Sequence, residues 1–217
     1  MMKVSIIGTG RMGKALIEAA APQIQNVIWG SRSIEKVDGL IKELGSEALP
    51  GSYDQALAAD VIFHTLWFRD LLPWAKHNEE ALKGKILVDI CVPFTSDFSD
   101  LAIEWGTSAA EEIQQALPDT KVVGAFKNTF WKVFNQPVHQ GIKSDVFVTS
   151  DDEGAKEMVM KLLQPLPFRF LDAGTLKNNR TIERMTLFSR ELSQRYGHYP
   201  YVSWGLWGSD YKGLFSE

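Results

Sequence analysis

The most constraining feature of the chain lies near its start. Val4-Ser5-Ile6-Ile7 runs directly into Gly8-Thr9-Gly10-Arg11-Met12-Gly13, and a helix-forming stretch from Lys14 to Ala21 follows. An apolar run of this kind suits a buried parallel strand. Gly8 makes the tight turn out of it, Gly10 lets a pyrophosphate approach the backbone, and Gly13 lets helix and strand pack closely. The start of the helix then offers unpaired N–H groups to phosphate oxygens. The pattern predicts a dinucleotide site at the N-terminal end of the fold.

The end of the second predicted strand, Val27-Ile28-Trp29, selects the nucleotide. A site for NAD carries an Asp or Glu about 20 residues past the glycines to bind the ribose 2′-hydroxyl. This chain has Gly30-Ser31-Arg32-Ser33 there, with Lys36 one turn further on. A hydroxyl on Ser31, a guanidinium fork on Arg32 and a second cation on Lys36 suit a 2′-phosphate, so the expected cofactor is NADP(H).

Apolar runs and helical patterns alternate along the rest of the chain. Strands are predicted over residues 59–66, 85–90, 121–126, 145–149 and 168–171. Helices are predicted over residues 33–44, 69–82, 109–117, 153–163 and 176–196. This alternation predicts an α/β fold with a doubly wound parallel sheet of Rossmann type. Residues 1–150 would form the NADP-binding domain and 151–217 a small, tightly joined C-terminal α/β unit for the acceptor site or dimerisation.

Composition narrows the function. At 217 residues and 45% hydrophobic, the chain can bury one substantial core. A net charge of −4 gives no electrostatic reason to expect nucleic acid or an anionic membrane as a partner. Cys91 is the sole cysteine, which excludes an internal disulfide, and His64, His77, His139 and His198 lack metal-ligand spacing. No apolar run approaches the ~18 residues of a membrane span, and no signal peptide precedes the first strand, so a cytoplasmic protein is expected.

In such a sheet the ligand lies across the carboxyl ends of the strands. Those ends read Thr65-Leu66-Trp67-Phe68, Cys91-Val92-Pro93-Phe94 and Ala125-Phe126-Lys127-Asn128-Thr129. They are mostly apolar, with a few amides and hydroxyls, which suits a nicotinamide ring. No Ser–His–Asp order, close carboxylate pair or isolated lysine in an apolar helix stands out as an acid–base centre, so no catalytic side chain is assigned. Hydride transfer between two rings depends chiefly on positioning.

The combination of GTGRMG, GSR with a following lysine, VP after the fourth predicted strand, VVGAFKNT at the fifth and LDAGTL leading into Asn179-Arg180 resembles the NADPH-dependent deazaflavin (coenzyme F420) reductases. The same unit is similar to the cytosolic domain of the six-transmembrane epithelial antigen ferrireductases. The resemblance spans about residues 2–192. It implies phosphate contacts from Thr9, Gly10, Arg11, Met12, Ser31, Arg32 and Lys36, and a nicotinamide contact near Ala125. It also implies a deazaflavin or flavin acceptor beside Val92, Pro93 and Asn128; by their place at the strand ends, Phe94 and Thr129 are expected to border the same site.

Two features remain outside that pattern. Trp67 replaces a usual proline, and residues 198–217 form a tail carrying Tyr199, Tyr201, Trp204, Trp207, Tyr211 and Phe215. Those aromatic rings suit packing in the core, a homodimer interface or stacking on the acceptor. The alternatives to a deazaflavin reductase are an imine reductase of the pyrroline carboxylate reductase type, for which the C-terminal region is short, and an NADP-binding regulator without turnover.

Overall fold

The computed structural model describes residues 2–208. Its centre is an eight-stranded sheet in the order β10-β9-β6-β5-β4-β1-β2-β3. The strands are β1 (Val4–Ile7), β2 (Ile28–Ser31), β3 (Leu49–Ser52), β4 (Val61–His64), β5 (Ile86–Asp89), β6 (Lys121–Gly124), β9 (Asp145–Ser150) and β10 (Arg169–Asp172). β7 (Val138–His139) and β8 (Ile142–Lys143) form a separate hairpin.

The helices are α1 (Arg11–Ala20), α2 (Ile34–Leu44), α3 (Tyr53–Leu57), α4 (Phe68–His77), α5 (Glu79–Leu82), α6 (Ala109–Ala116), α7 (Glu153–Leu163) and α8 (Asn179–Arg195). Their starts follow local chemistry. Ser33 accepts from Lys36 N–H at α2, Ser52 and Gln55 form a reciprocal cap at α3, and Asp152 accepts from Ala155 N–H at α7. Both faces of the sheet are covered: Ile6, Phe63 and Val88 pack into one apolar cluster, and Ile7, Ile62 and Leu87 into the other. Alternate side chains of one strand thus reach opposite cores, which explains why the strands read as unbroken apolar runs.

The structure corrects the sequence reading in four places. β3 was not foreseen, because Leu49-Pro50-Gly51-Ser52 has no strand composition; as the outermost strand it tolerates Pro50. The strand predicted over residues 59–66 is confined to Val61–His64, and the helix predicted over 69–82 divides into α4 and α5 at Asn78. The sheet is also not parallel throughout: β9 runs antiparallel to β6, and β10 is parallel to β9. The cause is the connection. No crossover helix lies between β6 and β9, so the chain turns through a 3-10 helix (Trp131–Asn135) and the β7–β8 hairpin and re-enters the sheet in reverse. α7 then supplies a crossover between β9 and β10, and those two agree in direction.

The sheet runs past residue 150, since β10 is its edge strand, and residues 204–206 are pinned back onto the start of β9. Asp145 N–H donates to the Trp204 carbonyl at 2.9 Å, and Leu206 N–H donates to Asp145 Oδ2 at 2.6 Å. Trp204 Nε1 donates to Ser189 Oγ at 2.7 Å. Of the aromatic tail, Tyr211 and Phe215 lie outside the described residues.

Candidate functional site

The glycine turn has the geometry its spacing predicts. Gly8 has φ +112°, a region that side chains with a Cβ rarely adopt, and a Cβ there would lie 2.2 Å from Thr65 Oγ1. A Cβ on Gly13 would lie 2.2 Å from the Gly8 carbonyl oxygen, so α1 can approach β1 only through glycine. Gly10 is different: a Cβ on it meets nothing within 4 Å. Gly10 caps α1 without a side-chain bond, which leaves the first N–H groups of the helix without a partner from the cap. Below the turn, buried Trp29 donates from Nε1 to the Gly8 carbonyl at 2.8 Å and holds it in place.

Ser31 and Arg32 stand together where β2 ends, with Lys36 in the first turn of α2. Ser31 is buried and its Oγ accepts from Ser33 N–H at 3.3 Å, while Arg32 and Lys36 are exposed. The Ser31 hydroxyl thus acts as an acceptor toward Ser33, and two cations face solvent beside it.

Next to the glycine turn, a cleft opens across the ends of β4, β5 and β6. One side is Gly10, Arg11 and Met12, with Thr65, Leu66 and Trp67 after β4. The segment after β5 adds Ile90, Cys91, Val92, Phe94 and Phe98, and the segment after β6 adds Phe126, Lys127, Thr129, Phe130 and Trp131. Thr186 and Arg190 from α8 and Tyr199 from the tail complete it. Arg11 does not extend freely: its guanidinium stacks 4.0 Å from the centroid of Trp131.

Three expected cleft residues do not line it. Ala125 and Pro93 are buried outside it. Asn128 is turned into the sheet, where its Nδ2 donates to the Asp145 carbonyl at 2.7 Å and its Oδ1 accepts from Phe147 N–H at 3.3 Å. The reason is that the chain bends sharply after β6. Phe126 has φ +55° and its ring is packed by Phe134, Phe168 and Phe170, so the residues that follow leave the strand direction.

That bend places Lys127 in a fully buried charge cluster under the cleft, whose members are far apart in sequence. Lys127 Nζ lies 2.5 Å from Asp89 Oδ2 and 2.9 Å from Glu183 Oε1, and it donates to the Cys91 carbonyl at 2.5 Å. His64 Nε2 lies 3.0 Å from Asp89 Oδ1, and Ala109 N–H donates to Glu183. Burial pushes Asp89 up, yet the Lys127 ammonium and the His64 ring together outweigh it and the carboxyl is held at about 2. For Glu183 burial wins over Lys127, and its carboxyl is raised. Burial and the Asp89 charge also push the Cys91 thiol upward, so it is a cleft-wall group rather than a thiolate.

Thr186 donates to the Lys127 carbonyl at 2.7 Å, tying α8 to the same bend. Trp131, Thr186 and Arg190 were missed by sequence reasoning, whereas Tyr199 belongs to the aromatic tail for which stacking on the acceptor was one of the expectations. α8 did carry a signal: Asn179, Glu183, Thr186, Ser189 and Ser193 form a buried polar stripe at helical spacing. At the end of β10, Asp172 Oδ1 accepts from Gly174 N–H at 2.8 Å and closes the turn there.

Among the described residues, no helix is long and apolar enough to cross a membrane. Residues 3–93 match the family described as NADP oxidoreductase coenzyme F420-dependent. The chain is 33% identical over 211 residues to the F420-dependent NADP reductase of Methanocaldococcus jannaschii, covering 90% of this chain and 94% of that protein. It is 29% identical to the F420-dependent NADP reductase of Methanothermobacter marburgensis, covering 85% and 89%. A crystal structure from Arthrobacter sp. FB24, assigned there as a candidate F420-dependent NADP-reductase, superposes with a TM-score of 0.80 at 25% identity, covering 91% of this chain and 96% of that one.

Proposed function

Because the chain belongs to the F420-dependent NADP reductase family, we propose that the cleft between the glycine turn and α8 is where its two ring systems meet. The protein is an NADP-dependent oxidoreductase whose small-molecule hydride partner is the deazaflavin coenzyme F420. The observation that carries the placement is the continuity of the site. The open position at Gly10 and the free N–H groups of α1 lead directly into a cleft lined mainly by apolar side chains.

NADP(H) fits these residues. The α1 N-terminus with Thr9, Gly10, Arg11 and Met12 suits the pyrophosphate, and Ser31, Arg32 and Lys36 suit the 2′-phosphate. Thr65, Leu66 and Cys91 are placed to seat the nicotinamide, while Val92, Phe94 and Thr129 border the acceptor half. Residues 1–150 supply the nucleotide site, and residues 151–217 add Thr186, Arg190 and Tyr199 to the acceptor wall. Bound together, the two coenzymes supply the hydride and the carbon that receives it. The protein aligns them, excludes water and holds the cleft floor rigid through Lys127. Exposed aromatics on and near α8, Phe188 and Tyr196, fit a homodimer interface.

The test is NADPH oxidation, followed at the nicotinamide absorbance band, with oxidised deazaflavin, FMN, FAD and a cyclic imine offered separately. Turnover with the deazaflavin in preference to the others is expected. Turnover with the imine alone, or with none of them, defeats the proposal.

A further inference from the structure

We propose that Arg190 is the anion-binding residue of the acceptor half of the cleft, placed to hold the negative charge that the acceptor ring gains on taking hydride. The proposal rests on the hydride-transfer reading above. The chain has eight arginines, and most have a partner. Arg69, Arg169, Arg180 and Arg195 form ion pairs with Asp70, Asp145, Glu111 and Glu191. Arg184 donates to the carbonyls of Arg180 and Glu104. Among the described residues, Arg11, Arg32 and Arg190 are the arginines whose guanidinium has neither an ion pair nor a hydrogen-bond acceptor. Arg11 and Arg32 belong to the nucleotide end. Arg190 does not.

Arg190 is half-buried in the cleft wall, and its guanidinium lies 5.6 Å from the ring centroid of Phe98. That ring packs against Trp67 and Phe94, with centroids 5.9 and 5.6 Å away, so the cation is bordered by an aromatic cluster. Its position is not left to a loop. Arg190 is one helical turn beyond Thr186, whose hydroxyl bonds to the Lys127 carbonyl and fixes this face of α8 against the strand ends. A guanidinium that is always charged is costly in such a lining without a counter-charge.

The reaction supplies one. Hydride carries two electrons and one proton, so NADPH leaves as NADP+ while a neutral acceptor gains one hydrogen and one negative charge, kept until solvent donates a proton. A planar guanidinium can meet the carbonyl edge of a ring through two N–H groups, and it strengthens as charge develops there.

The test compares wild type, Arg190→Gln and Arg190→Lys by equilibrium binding of 5-deazariboflavin, which has no phosphate tail, and of coenzyme F420, each oxidised and reduced. The expected result is a loss of about ten-fold or more in affinity of Arg190→Gln for both reduced probes, and about three-fold or less for the oxidised ones. NADPH affinity should be unchanged, and Arg190→Lys should recover part of the loss. Equal binding of reduced 5-deazariboflavin by wild type and Arg190→Gln overturns the proposal, as does a loss confined to coenzyme F420, which would assign Arg190 to the tail. A wild-type protein that binds neither probe overturns the acceptor reading and this inference with it.

Discussion

Lys127 Nζ lies 2.5 Å from Asp89 Oδ2, joining the ends of β5 and β6 by a buried ion pair directly under the cleft. Glu183 on α8 completes the contact, so one ammonium connects two strands and the C-terminal helix. Removing one partner of such a cluster leaves a buried charge without compensation.

We therefore predict that Lys127→Met destabilises the protein by about 3 kcal/mol or more. The double variant Lys127→Met/Asp89→Asn should recover part of that loss, because the stranded charge is gone. Urea unfolding of wild type, both single variants and the double variant measures the coupling; additive effects would show that the two residues act independently.

The two carboxyls predict opposite pH responses. Asp89 is held at about 2, below its ordinary 3.8, so its contribution is present above pH 3.8 and is lost as pH falls through about 2. Glu183 is raised above 4.5, so the folded state binds its proton more tightly than the unfolded one. Its contribution is present below pH 4.5 and is lost as pH rises through the folded-state value. Glu183→Gln should remove that decline while keeping the bond from Ala109 N–H. A variant whose unfolding midpoint changes with pH as in wild type would refute the assignment.

Cofactor choice should reside at the end of β2. NADPH should bind more tightly than NADH by roughly 2–4 kcal/mol, about 30- to 1,000-fold, through charge-assisted bonds to the 2′-phosphate. Arg32→Ala should remove most of this difference with little change in NADH affinity. Calorimetric titration of both nucleotides decides it, and equal affinities in wild type would count against the site.

Gly10 and Gly13 should separate binding from folding. Gly10→Ala meets open space and should fold normally yet lose nucleotide affinity, because the methyl occupies the approach of the pyrophosphate. Gly13→Ala meets the Gly8 carbonyl and should unfold at lower temperature before any nucleotide is added. Identical melting and binding in the two variants would contradict these roles.

The glycine turn and the basic end of β2 were legible because their chemistry is local. Gly8, Gly10, Gly13, Ser31, Arg32 and Lys36 belong to two strand–helix junctions, and backbone sterics with cap chemistry dictate their arrangement over a few residues. The strand-and-helix alternation was legible for a related reason: a strand buried on both faces must be apolar throughout. The cleft and its floor depended on tertiary structure. Phe126 turns the chain only because Phe134, Phe168 and Phe170 surround it, and that turn sends Asn128 into the sheet and Lys127 under the cleft. Asp89, Lys127 and Glu183 are distant in sequence, and nothing in their spacing sets their distances. Their meeting is decided by strand order, by the reversal of β9 and by the docking of α8, which are properties of long-range packing that no local pattern encodes.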